Sequence, residues 1–139
     1  MNYPEELVAP MRRELTDAGF EQLLSSIDVE NALGHLQGTA LVVLNSVCGC
    51  AAGTCRPGVR NAVAKATKLP TKLYTVFAGM EKDAVQKARQ YMLPFPPSSP
   101  CIALFKNGEL VHFIERLNIE GRSADMIAEN LMAAFETHC

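Results

Sequence analysis

Several absences narrow this sequence before any motif is read. Tryptophan is missing altogether. No stretch approaches the roughly 18 apolar residues that a membrane span needs, so no membrane association is expected. No basic stripe exists either: 13 Lys and Arg stand against 15 Asp and Glu, and Arg12-Arg13 is the only adjacent basic pair. Nucleic-acid binders carry a clustered basic face, so nucleic acid is not expected as a partner. Met1-Asn2-Tyr3-Pro4-Glu5-Glu6 offers no basic n-region and no apolar run after it. The expectation is a cytoplasmic chain without a secretory signal. Repeats, low-complexity tracts and linkers are absent as well, and 139 residues suit one domain with one sizeable core.

What is present, against that plain background, is cysteine. Five occur: Cys48, Cys50, Cys55, Cys101 and Cys139. The number is odd, and a reducing compartment does not favour structural disulfides. Redox, catalytic or metal-binding roles therefore come ahead of stapling.

Periodicity supplies the frame. Leu7, Val8, Met11 and Leu15 recur at helical spacing over residues 4–18, and Ser26 is placed to cap a short helix carrying Val29, Ala32 and Leu33. The period then changes. Ala40-Leu41-Val42-Val43-Leu44 is a continuous apolar run, as in a strand buried on both faces. A helix is expected over 51–67, bent at Pro57. A second buried strand follows at 73–77, then a helix over 81–92 with Ala84, Ala88 and Tyr91 inward. Two last strands, 101–105 and 110–114, are joined through Asn107-Gly108, which supplies the positive φ angles of a tight hairpin. Ser123 opens a final helix with Ile127, Leu131 and Phe135 inward. Residues 1–37 thus read as an N-terminal helical extension, and 38–139 as a β-α-β-α-β-β-α core. The implied fold is α/β: a three-layer sandwich with a mixed central sheet, a C-terminal antiparallel hairpin, and helices on both faces.

Cys48 falls where the first buried strand must turn into a helix. Open α/β sheets place ligands at the carboxyl ends of their strands, and a helix N-terminus favours thiolate over thiol. Gly49 removes a side chain beside the sulfur, so a substrate backbone can approach. Cys50 is close enough to resolve a mixed disulfide formed on Cys48. A Cys-Gly-Cys ring is cramped, which points to an easily reduced disulfide and to exchange of mixed disulfides over general reduction. Arg56 and Arg60, near the same helix start, could steady a thiolate or bind an anionic thiol.

Ser99-Pro100-Cys101-Ile102-Ala103-Leu104-Phe105-Lys106-Asn107-Gly108-Glu109 resembles the thioredoxin segment in which a cis-proline precedes the third strand and its hairpin. The resemblance implies that Pro100 is cis, lies against the sulfurs, and pairs through its backbone, with Ser99, to an extended substrate. More closely, the chain resembles the bacilliredoxins, thioredoxin-like proteins with Cys-Gly-Cys in place of Cys-X-X-Cys. Asn45-Ser46-Val47-Cys48-Gly49-Cys50-Ala51-Ala52-Gly53, Thr75-Val76-Phe77-Ala78-Gly79, Pro96-Pro97-Ser98-Ser99-Pro100 and His138-Cys139 carry that likeness. It implies a thiol–disulfide oxidoreductase and isomerase that removes bacillithiol, as co-substrate, from S-thiolated client proteins. Cys48 would be the nucleophile and Cys50 the resolving thiol, with no resident cofactor and no metal.

Two departures matter. Ala51 stands where Cys-X-X-Cys thioredoxins have their second cysteine, and Val42 where they keep a buried Asp that handles a proton. Cys55 and Cys101 lie outside the family pattern, as possible accessory thiols or as packing. One alternative uses them: Cys48, Cys50, Cys55 and Cys101 together could hold zinc or a small iron–sulfur cluster. His35, His112 and His138 suggest no triad with Cys48.

Overall fold

The apolar run around Val42 is the central strand of a five-stranded sheet, and every residue from Thr39 to Asn45 is buried. The computed structural model describes residues 2–139. Helix α1 (Glu5–Thr16) leads into strand β1 (Glu21–Gln22), helix α2 (Ser26–Leu33) and the central strand β2 (Thr39–Asn45). A π-helical turn (Ala51–Cys55) continues into helix α3 (Arg56–Lys65), followed by β3 (Lys72–Phe77) and α4 (Lys82–Tyr91). Strands β4 (Cys101–Lys106) and β5 (Glu109–Ile114), a 3₁₀ turn (Arg116–Asn118) and α5 (Ala124–His138) complete the chain.

The strands lie in the order β1-β3-β2-β4-β5. β1, β3 and β2 run parallel, while β4 is antiparallel to β2 and β5 to β4. This is the expected α/β sandwich with its C-terminal hairpin. Strand side chains alternate between faces, and the core divides accordingly. Leu41, Val43, Ile102 and Leu104 pack with Leu15 of α1, Val59 of α3 and Leu131 of α5. Ala40, Val42, Leu44, Ala103 and Phe105 pack on the other face with Val29 of α2 and Ala88 of α4. In the hairpin turn, Asn107 and Gly108 take φ of 52° and 85°. Helices α3 and α5 meet at Gly58, where an added Cβ would lie 2.7 Å from Ile127 Cβ.

The N-terminal segment departs from its reading. Residues 1–37 are no purely helical extension: Glu21 and Gln22 pair in parallel with Tyr74 and Thr75 of β3 and form a sheet edge. Two polar residues have no period to detect; their backbone groups are recruited by a neighbouring strand. Leu15, Leu23, Val29 and Leu33 reach the core, so this segment belongs to the fold. Leu7, expected inward, is exposed. The cap of α2 is Ser25, not Ser26: its hydroxyl accepts from the Asp28 N–H, and Asp28 accepts in turn from the Leu24 N–H. The helix expected over 51–67 begins as a π-helical turn. Pro57 is the second residue of α3, directly after that turn.

Candidate active site

Beyond Asn45 the chain leaves β2 and turns twice within a few residues, and a buried polar cluster holds that turn. The Asn45 side-chain oxygen accepts from the Ser46 N–H at 2.8 Å and from Arg56 Nη1 at 2.9 Å. The same Nη1 donates to the Ser46 carbonyl at 2.8 Å. Arg56 Nε lies 3.1 Å from a Glu14 carboxylate oxygen, an ion pair without hydrogen-bond alignment. Asn45 Nδ2 reaches back to the Met11 carbonyl of α1. Buried polar groups persist only when partnered in this way. Ser46, fixed by these contacts, accepts the Cys48 N–H on its hydroxyl at 3.2 Å.

Both thiols are free and partly exposed, with their sulfurs 2.7 Å apart. They are electrostatically unequal. Burial pushes the Cys48 thiol up, but hydrogen bonds from the Cys50 thiol, the Ala51 N–H, the Ser46 hydroxyl and the Cys50 N–H outweigh it. Its pKa falls below the ordinary thiol value. Cys50 goes the other way: burial, its hydrogen bond to Cys48 and the charge on Cys48 raise it, and Arg116 opposes them. The two thiols are therefore shifted in opposite directions, Cys48 toward the thiolate and Cys50 toward the neutral thiol. Gly49, exposed between them, has no heavy atom within 4 Å of where a Cβ would stand.

A second segment closes the site. Leu44 pairs with Cys101 at the last rung between β2 and β4, so Ser99 and Pro100 come opposite the start of the cysteine turn. The Ser99–Pro100 peptide is cis, the isomer the thioredoxin resemblance implies. Arg116, just past β5, braces this segment: its N–H donates to Ser98 Oγ and its Nη1 to the Ser99 carbonyl, each at 3.3 Å. Its Nε pairs with Glu120. That pair, then the Cys48 and Cys50 sulfurs, hold the Arg116 pKa above its ordinary value.

The disulphide isomerase family model matches residues 3–139. A bacilliredoxin of Cytophaga hutchinsonii is 60% identical over 134 residues, covering 96% of this chain and 98% of that protein. The chain belongs to the bacilliredoxin family. A bacilliredoxin of Halalkalibacterium halodurans is 51% identical over 138 residues, covering 99% of this chain and 95% of its own length. Among solved structures, Schistosoma mansoni thioredoxin superposes with a TM-score of 0.59 at 18% identity, covering 88% of this chain and 97% of that one. Fasciola hepatica thioredoxin gives 0.56 at 17% identity, covering 86% and 100%. At such identities the likeness shows the thioredoxin fold alone. Family and fold together support a thiol–disulfide oxidoreductase.

Other thiols of this bacilliredoxin-family chain do not join the pair. Cys55 is fully buried in the α3–α5 layer, and burial pushes its pKa far up. Cys101 is buried on the opposite face, its sulfur 3.9 Å from that of Met92; burial raises its pKa to about 12. The four-thiol metal reading fails on this point, because the sheet stands between two of its ligands. Among the described residues no group of three or more His, Cys, Asp or Glu is arranged to hold a metal ion. Arg56 is no thiolate partner either: it is 1% exposed and its donors go to Asn45, Ser46 and Glu14. Arg60 donates to the Glu14 carbonyl. The cation whose charge reaches the sulfurs is Arg116, held on Ser98 and Ser99, which sequence reading missed because its helical turn lies far from the cysteines along the chain. No helix among the described residues is long and apolar enough to cross a membrane.

Proposed function

We propose that the protein removes a low-molecular-weight thiol of the bacillithiol type from cysteine mixed disulfides on S-thiolated client proteins, in the cytoplasm. The Cys48 thiolate attacks the small-thiol sulfur of the client disulfide. That S–S bond breaks, and the client sulfur leaves as a thiolate and takes a proton from solvent. Cys48 now carries the small thiol. Cys50, once deprotonated, attacks Cys48 Sγ; the small thiol leaves as its thiolate, and a Cys48–Cys50 disulfide remains. Two equivalents of a free thiol return the pair to its reduced form and are themselves oxidised to a disulfide. Gly49 leaves the approach open, and Ser99 and Pro100 line the opposite side for an extended client segment. Disulfide isomerisation uses the same first step, with a client thiol in place of Cys50.

The observation that carries this reading is the asymmetry of the pair. One sulfur gathers hydrogen bonds and is lowered, while its neighbour is raised by burial and by the first sulfur. A nucleophile needs the first condition, and a resolver that waits needs the second. Intact mass after exposure to a bacillithiol-modified client, with a glutathione-modified one in parallel, tests it. Cys50→Ala should accumulate the small-thiol adduct, and Cys48→Ala should take up none. An adduct on Cys48→Ala at the wild-type rate sinks the assignment of the nucleophile.

A further inference from the structure

Helix α1 is tied to the floor of the exchange site by polar contacts that apolar packing alone does not require. Asn45 Nδ2 donates to the Met11 carbonyl at 3.2 Å, Arg56 Nε lies 3.1 Å from Glu14 Oε2, and Arg60 Nη1 donates to the Glu14 carbonyl at 3.1 Å. Met11 and Glu14 are i, i+3 neighbours and so share one face of the helix. From that face the contacts converge on Ser46, which is 7% exposed. Its N–H goes to Asn45 Oδ1, its carbonyl receives Arg56 Nη1, and its hydroxyl oxygen receives the Cys48 N–H. The hydroxyl proton is left free to turn toward the Cys48 sulfur, where a donor favours thiolate over thiol. Arg56 pairs with no carboxylate other than Glu14 among the described residues.

We propose that Glu14 of α1 is a positioning residue of the exchange site: by orienting the buried Arg56 it fixes Asn45 and Ser46, and so sets the reactivity of the Cys48 sulfur. The role rests on Cys48 as the attacking thiol of the exchange reading, whatever small thiol that sulfur takes. A planar fork suits it. Arg56 Nη1 donates to Asn45 Oδ1 at 2.9 Å and to the Ser46 carbonyl at 2.8 Å, while Nε turns to Glu14. A lysine there carries the same charge but cannot hold three partners in one plane. Charge and geometry also differ in sign. Neutralising Glu14 leaves Arg56 uncompensated, and an uncompensated cation favours a nearby thiolate. Loosening Ser46 takes a donor away from the sulfur and disfavours it.

Iodoacetamide alkylation of Cys48, followed against pH under native conditions with each modified cysteine located by peptide mapping, tests the role. Glu14→Gln and Arg56→Lys should each move the Cys48 midpoint to higher pH. The rate below the midpoint should fall about twofold to fivefold, the scale of one weakened hydrogen bond, while the plateau at high pH stays. In a Ser46→Ala background neither substitution should move the midpoint further, because the path runs through Ser46. Buried Cys55 is the fold control and should stay unmodified in every variant. If Arg56→Lys exposes Cys55, the result for Glu14→Gln decides alone, since that side chain is 38% exposed and its loss spares the core. A midpoint that stays or falls in Glu14→Gln overturns the proposal, as does an equal shift with Ser46 absent. The choice of nucleophile stands or falls separately, on small-thiol uptake by Cys48→Ala.

Discussion

Arg56 donates to the Asn45 side-chain oxygen at 2.9 Å in the buried floor beneath the cysteine turn. That contact ties the first turn of α3 to the last residue of β2. The same nitrogen also holds the Ser46 carbonyl, and Ser46 in turn accepts the Cys48 N–H. The geometry of the reactive loop is therefore set from below, by a charge that solvent does not reach.

Removing that charge should loosen the fold more than the chemistry. Arg56→Met leaves the Asn45 oxygen with only the Ser46 N–H, strips Ser46 of a partner, and strands the Glu14 carboxylate at the protein edge. Breaking a buried, hydrogen-bonded pair from one side costs about 2–4 kcal/mol, at the lower end where the partner is part-exposed. Urea unfolding should register the loss as a lower midpoint, with Arg56→Lys recovering only part because the planar fork is gone. An unchanged midpoint would mean that the floor is not structural.

Alkylation rate against pH should show the inequality of the two thiols. Cys48, lowered by its hydrogen bonds, should react with iodoacetamide at a midpoint below that of an ordinary cysteine, about 8.5. Cys50→Ala removes the first of those hydrogen bonds and should shift the Cys48 profile to higher pH; Ser46→Ala should shift it the same way, by less. If Cys50→Ala leaves the profile in place, the contact between the two sulfurs does not set the reactivity.

The buried thiols should appear in stability, not in reactivity. Burial raises Cys55 and Cys101, so each is favoured in its neutral form in the fold. A raised folded-state pKa contributes stability fully present below the unfolded value and lost as pH rises toward the folded one. For Cys101 that window runs from about 8.5, its unfolded value, to about 12. The urea midpoint should therefore decline as pH is taken from 8 toward 10.5, and Cys101→Ala should flatten the decline while lowering the starting point. A midpoint constant across that range would contradict the burial of both thiols.

Long, uniformly apolar segments were legible in the sequence because their signal survives any context. The β2 run, the Asn107-Gly108 hairpin and the inward row Ile127, Leu131 and Phe135 of α5 stand where patterning puts them. β1 could not be read: Glu21 and Gln22 are strand only because β3 offers backbone partners. Nor could the π-helical turn at Ala51–Cys55, since a shift of one residue in hydrogen bonding leaves no mark on side-chain order. At the site, the cysteines announced themselves by type and spacing, and Pro100 through the resemblance of its segment to thioredoxins. The arginines did not, because adjacency in sequence favours Arg56 whereas adjacency in space belongs to Arg116. A cation next to a thiol along the chain becomes its neighbour only if it stays at the surface, and Arg56 points inward to hold the loop.

The division of the core into two layers has a consequence for which of its thiols an oxidant can meet. Cys55 and Cys101 are buried in the clusters on opposite faces of the sheet, away from solvent. Exposed Cys139 lies at the far end of α5. A chain rich in sulfur in this way presents one close thiol pair and one terminal thiol to solvent, and oxidants meet Cys55 and Cys101 only after the fold has opened.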